Sequence, residues 1–163
     1  VAPKLADLGM NVFEQPVAAN RLTAFRDLRR QKALPILMDE GLVSSTELRE
    51  FIALGLLDGI AMKPARTAGL FDARRQIQIA RDAGLMVLGS GLTDPDVSLA
   101  ASLILYASFG IKEPCALNGP QFLAATSYLK APLAAKNGMI DVPAGPGLAV
   151  EVKEDDIRAR ATR

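Results

Sequence analysis

PILMDEGLVSSTELREFIALGLLDGIAMK, residues 35–63, contains one whole structural repeat. The apolar run Pro35-Ile36-Leu37-Met38 stops at two carboxylates, Asp39 and Glu40. Ser44, with Glu47 three residues later, is a capping box that predicts a helix start, and Leu48 with Phe51-Ile52 marks its apolar face. A second short apolar run, Gly59-Ile60-Ala61-Met62, then ends on Lys63. Strand, amphipathic helix and strand within this length form a βαβ unit, which implies parallel strands and a right-handed crossover.

Outward from that unit the pattern repeats. Upstream lie the run Asn11-Val12-Phe13, closed by Glu14, and an amphipathic segment over 21–31. Downstream come a helical segment over 70–83, the run Leu85-Met86-Val87-Leu88 closed by Gly89-Ser90-Gly91, a helix over 96–108, and a weak run Cys115-Ala116-Leu117 closed by Asn118-Gly119. Gly84 stands where a helix stops, and Pro95 suits a first helical turn. The runs start about 25 residues apart, the period of a β/α repeat, and about five repeats fall short of the roughly 250 residues of a closed eight-fold barrel. An open doubly wound sheet and part of a barrel both fit this count. From about Lys130 the chemistry turns to Asn137-Gly138 and Pro143-Ala144-Gly145-Pro146-Gly147, a ribbon outside the repeat, with a charged, frayed end expected through Arg163.

Composition narrows the function. Half of the 163 residues are hydrophobic and 23% are charged, a globular balance. Nineteen basic against eighteen acidic side chains give no reason to expect nucleic acid or an anionic membrane as partner. The single cysteine, Cys115, fits a reducing compartment and is expected in the core, and a cytoplasmic location follows as an expectation. There is no histidine, so proton transfer near neutral pH falls to carboxylates, lysine, tyrosine or the thiol. The chain opens without methionine, in what reads as a helix tail over 3–8, which suggests a fragment or processed piece. The arginines at 26, 29 and 30 with Lys32 read as the solvated face of a helix whose Phe25 and Leu28 point inward.

In parallel α/β folds ligands bind at the carboxyl ends of the strands. Glu14, Asp39-Glu40 and Lys63 fall at three successive ends. Carboxylate oxygens suit a hard ion such as Mg²⁺, and a lysine beside a cation has its pKa lowered and becomes a credible base.

These motifs, Phe13-Glu14-Gln15-Pro16, the run 35–40 and Met62-Lys63-Pro64, resemble the fourth-, fifth- and sixth-strand motifs of the enolase superfamily, in the muconate-lactonizing-enzyme and mandelate-racemase-like branch. Gly89-Ser90-Gly91, Leu117-Asn118-Gly119-Pro120 and Pro146-Gly147-Leu148 are similar to its later landmarks. The resemblance implies the C-terminal portion of a (β/α)₈ barrel, with strands four to eight in residues 1–130 and an extension over 131–163 that packs toward a capping domain upstream. It implies that Glu14 and Asp39 are Mg²⁺ ligands, that Glu40 supports them, that Lys63 takes or returns a proton, and that Asp94 is the acidic residue following the seventh strand. Asp94 equally reads as a helix cap beside Thr93 and Pro95.

The reaction implied is removal of a proton alpha to the carboxylate of a small substrate through an enediolate, in a cycloisomerase, racemase or epimerase; a dehydratase of hydroxy acids or hydroxylated amino acids is the alternative. Departures from the family pattern are clear. The third-strand aspartate, the Lys-x-Lys motif and the capping domain would all lie before Val1. Ala65-Arg66-Thr67-Ala68-Gly69 replaces a more usual Gly-Gly pair, Ala149 takes a frequent glycine position, and no pair of aspartates stands at the eighth strand. The chain by itself is therefore expected to be inactive, or to be a non-catalytic half-barrel or interaction module whose open strand edges favour self-association, with a homo-oligomer as the expected state.

Overall fold

The structure, a computed structural model, describes residues 1–92, 94–117 and 127–161. It resolves into two compact units, Val1–Leu88 and Gly89–Arg163. The strand-end motifs at Asn118-Gly119-Pro120 lie outside the described residues.

The first unit alternates helices and strands: α1 (Ala2–Asp7), β1 (Phe13–Glu14), α2 (Leu22–Arg30), β2 (Ile36–Met38), α3 (Ser45–Ala53), β3 (Gly59–Met62), α4 (Leu70–Asp82) and β4 (Met86–Gly89), whose last residue opens the second unit. The sheet order is β1-β2-β3-β4, with β1 parallel to β2 and β2 parallel to β3. Every residue of β2 and β3 is buried, as expected of parallel strands covered on both faces. Phe25, Leu48 and Ile77, one from each of α2, α3 and α4, are buried with Leu37, Ile60 and Met62 of the strands.

Local chemistry sets the helix boundaries. Ser44 accepts from the Glu47 backbone N–H at 3.2 Å while the Glu47 carboxylate accepts from the Ser44 N–H at 3.0 Å, the reciprocal cap read in the sequence. Asp72 of α4 accepts from the Ser45 N–H at 3.0 Å and from Gln76 Nε2 at 2.8 Å, so one carboxylate ties the start of α3 to α4. Those hydrogen bonds outweigh its partial burial and hold the Asp72 pKa below the usual range. At the amino ends of the strands, Asp58 Oδ2 accepts from the Ile36 N–H at 3.0 Å and Oδ1 from Arg29 Nε at 2.8 Å. Arg29 is thus a structural partner and half-buried, not part of a uniformly solvated basic face.

The second unit holds α5 (Asp96–Ser108) and α6 (Glu154–Arg160). The weak fifth run contributes one parallel bridge, Ser90 to Ala116, rather than a strand among the described residues. The ribbon is real but brief: antiparallel bridges join Leu129 to Val152 and Lys136 to Met139, the latter across Asn137-Gly138. The end expected to fray forms α6 instead, with acidic residues in its first turn and Arg158 and Arg160 in its last, the arrangement a helix dipole favours. Cys115 is half-buried, not core, and faces an apolar cavity with Tyr106, Ile111 and Met139.

Gly59 marks a close approach of β3 to β4. A Cβ there would meet the Met86 carbonyl oxygen at 2.7 Å and Met86 Cβ at 2.8 Å, so β3 and β4 approach this closely only with glycine present. Gly59→Ala is expected to destabilise the chain by about 1–3 kcal/mol through overpacking; a urea unfolding midpoint equal to that of the unsubstituted chain would contradict this.

Candidate functional site

Register decides which side chains can meet. Glu14 pairs with Leu37 and Leu37 with Gly59, and side chains alternate faces along a strand. Asp39 lies two residues beyond Leu37, and Lys63 lies four beyond Gly59. Glu14, Asp39 and Lys63 therefore share one face at the carboxyl end of the sheet, one from each of three adjacent strands.

The side chains meet as the register predicts. Lys63 Nζ and Arg66 Nη1 both donate to Asp39, one to each carboxylate oxygen. The three side chains are only 10–13% exposed. Arg66 also donates from Nε to the Leu42 carbonyl at 3.0 Å and from Nη2 to the Ala61 carbonyl at 2.6 Å, so its guanidinium links the β2 and β3 strand ends. Glu14 stands close enough to Asp39 for the two carboxylates to interact. Burial, then the Asp39 charge, pushes the Glu14 pKa above its ordinary value against the pull of Lys63 and Arg66. Burial acts on Asp39 in the same sense, but hydrogen bonds and charge from Lys63 and Arg66 prevail and hold its pKa low.

Glu40 is exposed. Asp94 belongs to the second unit, where it is buried near Tyr106. Pro95 is the N-cap residue of α5, so Asp94 stands one position before the cap. Burial raises both the Cys115 thiol and the Tyr106 hydroxyl, and the latter donates to the Ser90 carbonyl at 2.7 Å; neither group is poised to ionise near neutral pH.

Sequence reading missed Arg66 and Gln15. Arg66 stood out only as a departure from a glycine pair, although a cation one turn after Lys63-Pro64 is placed to return toward the same strand end. Gln15, beside Glu14, adopts a left-handed backbone with φ of 39°.

A family model described as enolase C-terminal domain-like matches residues 1–156. This chain belongs to that family. It is 30% identical over 157 residues to muconate cycloisomerase 1 of Rhodococcus opacus, a match covering 96% of this chain and 42% of that protein. It is 29% identical over 150 residues to the N-succinylamino acid racemase of Thermus thermophilus, covering 92% and 41%. In three dimensions it superposes on the crystal structure of 2-chloromuconate cycloisomerase from Rhodococcus opacus 1CP with a TM-score of 0.86 at 30% identity, over 99% of this chain and 44% of that one. The fold is therefore that of the C-terminal barrel portion of enolase-superfamily structures, and the chain spans about two-fifths of the length of the relatives it matches. No helix among the described residues is long and apolar enough to cross a membrane.

The donor set fits a hard divalent ion. Glu14 and Asp39 offer carboxylate oxygens from adjacent strands, and burial, then the neighbouring Asp39 charge, raises the Glu14 pKa. No group of three or more acidic, histidine or cysteine side chains placed to hold a metal ion occurs among the described residues. The raised pKa has a thermodynamic consequence. A carboxyl whose folded pKa lies above its unfolded value of about 4.5 weakens the fold once both states are ionised, and that cost disappears as pH falls below the unfolded value. In chelator-treated protein, Glu14→Gln should therefore raise the melting temperature at pH 7.5 and give no gain near pH 4; a lower melting temperature at pH 7.5 would contradict the charge balance described.

Proposed function

We propose that the protein of which this chain is part abstracts a proton alpha to the carboxylate of a small substrate, with Lys63 moving the proton and Glu14 and Asp39 holding Mg²⁺. The observation that carries this reading is the convergence of two carboxylates and one lysine, from three successive strands, on one face at the sheet's carboxyl end. Relatives named cycloisomerases and racemases support the isomerase class.

The chemistry follows from the residues. Lys63 must exchange a proton with the substrate carbon, and its ammonium is held at Asp39 Oδ2, within the carboxylate site and largely shielded from water. The Lys63 hydrogen bond, with the charges of Arg66 and Lys63, favours the ionised form of Asp39, the form a metal ligand needs. Bound Mg²⁺ would supply positive charge where negative charge develops on the substrate carboxylate. Glu40 is assigned a supporting role beside Asp39, and Asp94 a catalytic role as the acidic residue after β4.

Residues 1–130 are assigned to barrel strands four to eight and 131–163 to an extension toward a capping domain. The remaining ligand, the opposing base and the substrate-reading surface belong to sequence beyond this chain, so the chain alone is assigned no turnover, and a homo-oligomer is the proposed assembly. The cycloisomerase, racemase or epimerase reading is preferred over a dehydratase because relatives of both cycloisomerase and racemase type match nearly the whole chain.

The test uses the assembled parent protein with Mg²⁺ in D₂O and a panel of small carboxylates. Solvent deuterium should enter the alpha position, and Lys63→Ala should lower that exchange by at least about a thousandfold, as expected on removing a general base. Exchange that persists in Lys63→Ala would remove Lys63 from the mechanism, and absence of exchange across the panel would remove the reading.

A further inference from the structure

Glu14 and Asp39 sit on different strands, and a two-carboxylate site works only if their spacing is fixed. The backbone bonds of the sheet end just short of Asp39: the last registered pairs are Glu14 with Leu37 and Met38 with Ile60, and the Gln15 N–H donates to the Leu37 carbonyl at 2.9 Å. Beyond that point one side chain continues the connection. Gln15 follows Glu14 directly in the chain, and its Oε1 accepts from the Asp39 N–H at 2.8 Å and from the Gly41 N–H at 3.1 Å. Its Nε2 donates to the Val17 carbonyl at 2.9 Å, which fixes the rotation of the amide.

Two further features show that the local structure is built around this amide. Gln15 holds φ at 39°, a conformation costing a non-glycine residue on the order of 1 kcal/mol or more, which the three hydrogen bonds offset. Gly41 leaves room for it: a Cβ there would stand 3.2 Å from Gln15 Nε2 and 3.3 Å from Oε1.

We infer that Gln15 is a positioning residue for the carboxylate pair: its amide oxygen locks the Asp39 backbone to the strand end that carries Glu14, and divalent-cation affinity depends on that lock. The inference rests on the proposed metal role of Glu14 and Asp39. Gln15 itself is assigned no contact with the ion or substrate; it acts through the two residues beside it, as groups that orient metal ligands do.

The experiment measures Mn²⁺ binding by electron paramagnetic resonance and amide exchange by NMR on the assembled parent protein that contains this chain and on three variants of it. Gln15→Leu removes the acceptor, Gln15→Glu keeps an acceptor oxygen at the same reach, and Glu14→Gln removes a ligand. Gln15→Leu should weaken Mn²⁺ binding about tenfold or more and speed exchange of the Asp39 and Gly41 amides selectively. Gln15→Glu should retain both the protection of these amides and Mn²⁺ binding at least as tight as that of the unsubstituted protein; a loss of both would overturn the inference even if Gln15→Leu failed to fold. Mn²⁺ binding by Gln15→Leu equal to that of the unsubstituted protein would overturn the positioning role while leaving the metal site standing. Mn²⁺ uptake by the unsubstituted protein no tighter than that of Glu14→Gln would overturn the metal reading and, with it, this inference.

Discussion

Asp39 receives Lys63 on one carboxylate oxygen and Arg66 on the other, and much of the site's geometry follows from that arrangement. A largely buried carboxylate is tolerated only when its charge is compensated and its lone pairs are used. Here both conditions are met by residues from the next strand end, so the ion network also serves as a tertiary clamp between β2 and β3. Arg66 extends the clamp by donating to two backbone carbonyls with its other nitrogens, a use of the planar guanidinium that a lysine could not reproduce. Glu14 faces the same site, and burial together with the neighbouring Asp39 charge makes it harder to ionise.

This is an electrostatically uneven site, and the unevenness has chemical meaning. One carboxylate is held ionised by direct cation contacts while its neighbour is pushed toward the neutral form. Groups arranged in this way at strand ends, with little exposure to water, are typical of places where charge is managed for chemistry rather than for stability. The helices behind the strands play the complementary part: the Ser44 cap and the Asp72 bond to the Ser45 N–H both fix where α3 starts, and thereby how long the β2-to-α3 loop must be.

The repeat and most of the site were legible because parallel strands buried on both faces leave short apolar runs, and because the residue closing each run marks a strand end. Gly59-Ile60-Ala61-Met62 and the helix at Asp96–Ser108 could be read to the residue. The fifth run was harder, since Cys115-Ala116-Leu117 is short and its described pairing is a single bridge. Arg66 and Gln15 were hidden for a different reason. Both act through acceptors and donors that are distant in sequence, and neither residue type at its position carries a periodic or compositional signal. The α6 helix was underrated because its charges read as solvated, whereas their order along the helix, acidic then basic, favours helix formation.

The ion pair at the other end of the strands, Arg29 with Asp58, has a consequence for how such a protein can change over time. It joins α2 to the start of β3 and, through the Ile36 N–H, to the start of β2, and in doing so it steadies the same strands whose far ends carry Asp39 and Lys63. The structural anchor and the candidate site thus lie at opposite ends of one short sheet. Loops and side chains at the reactive end can drift toward a new substrate while the anchoring end preserves foldability, and this separation is a physical basis for one scaffold hosting relatives with different isomerase activities.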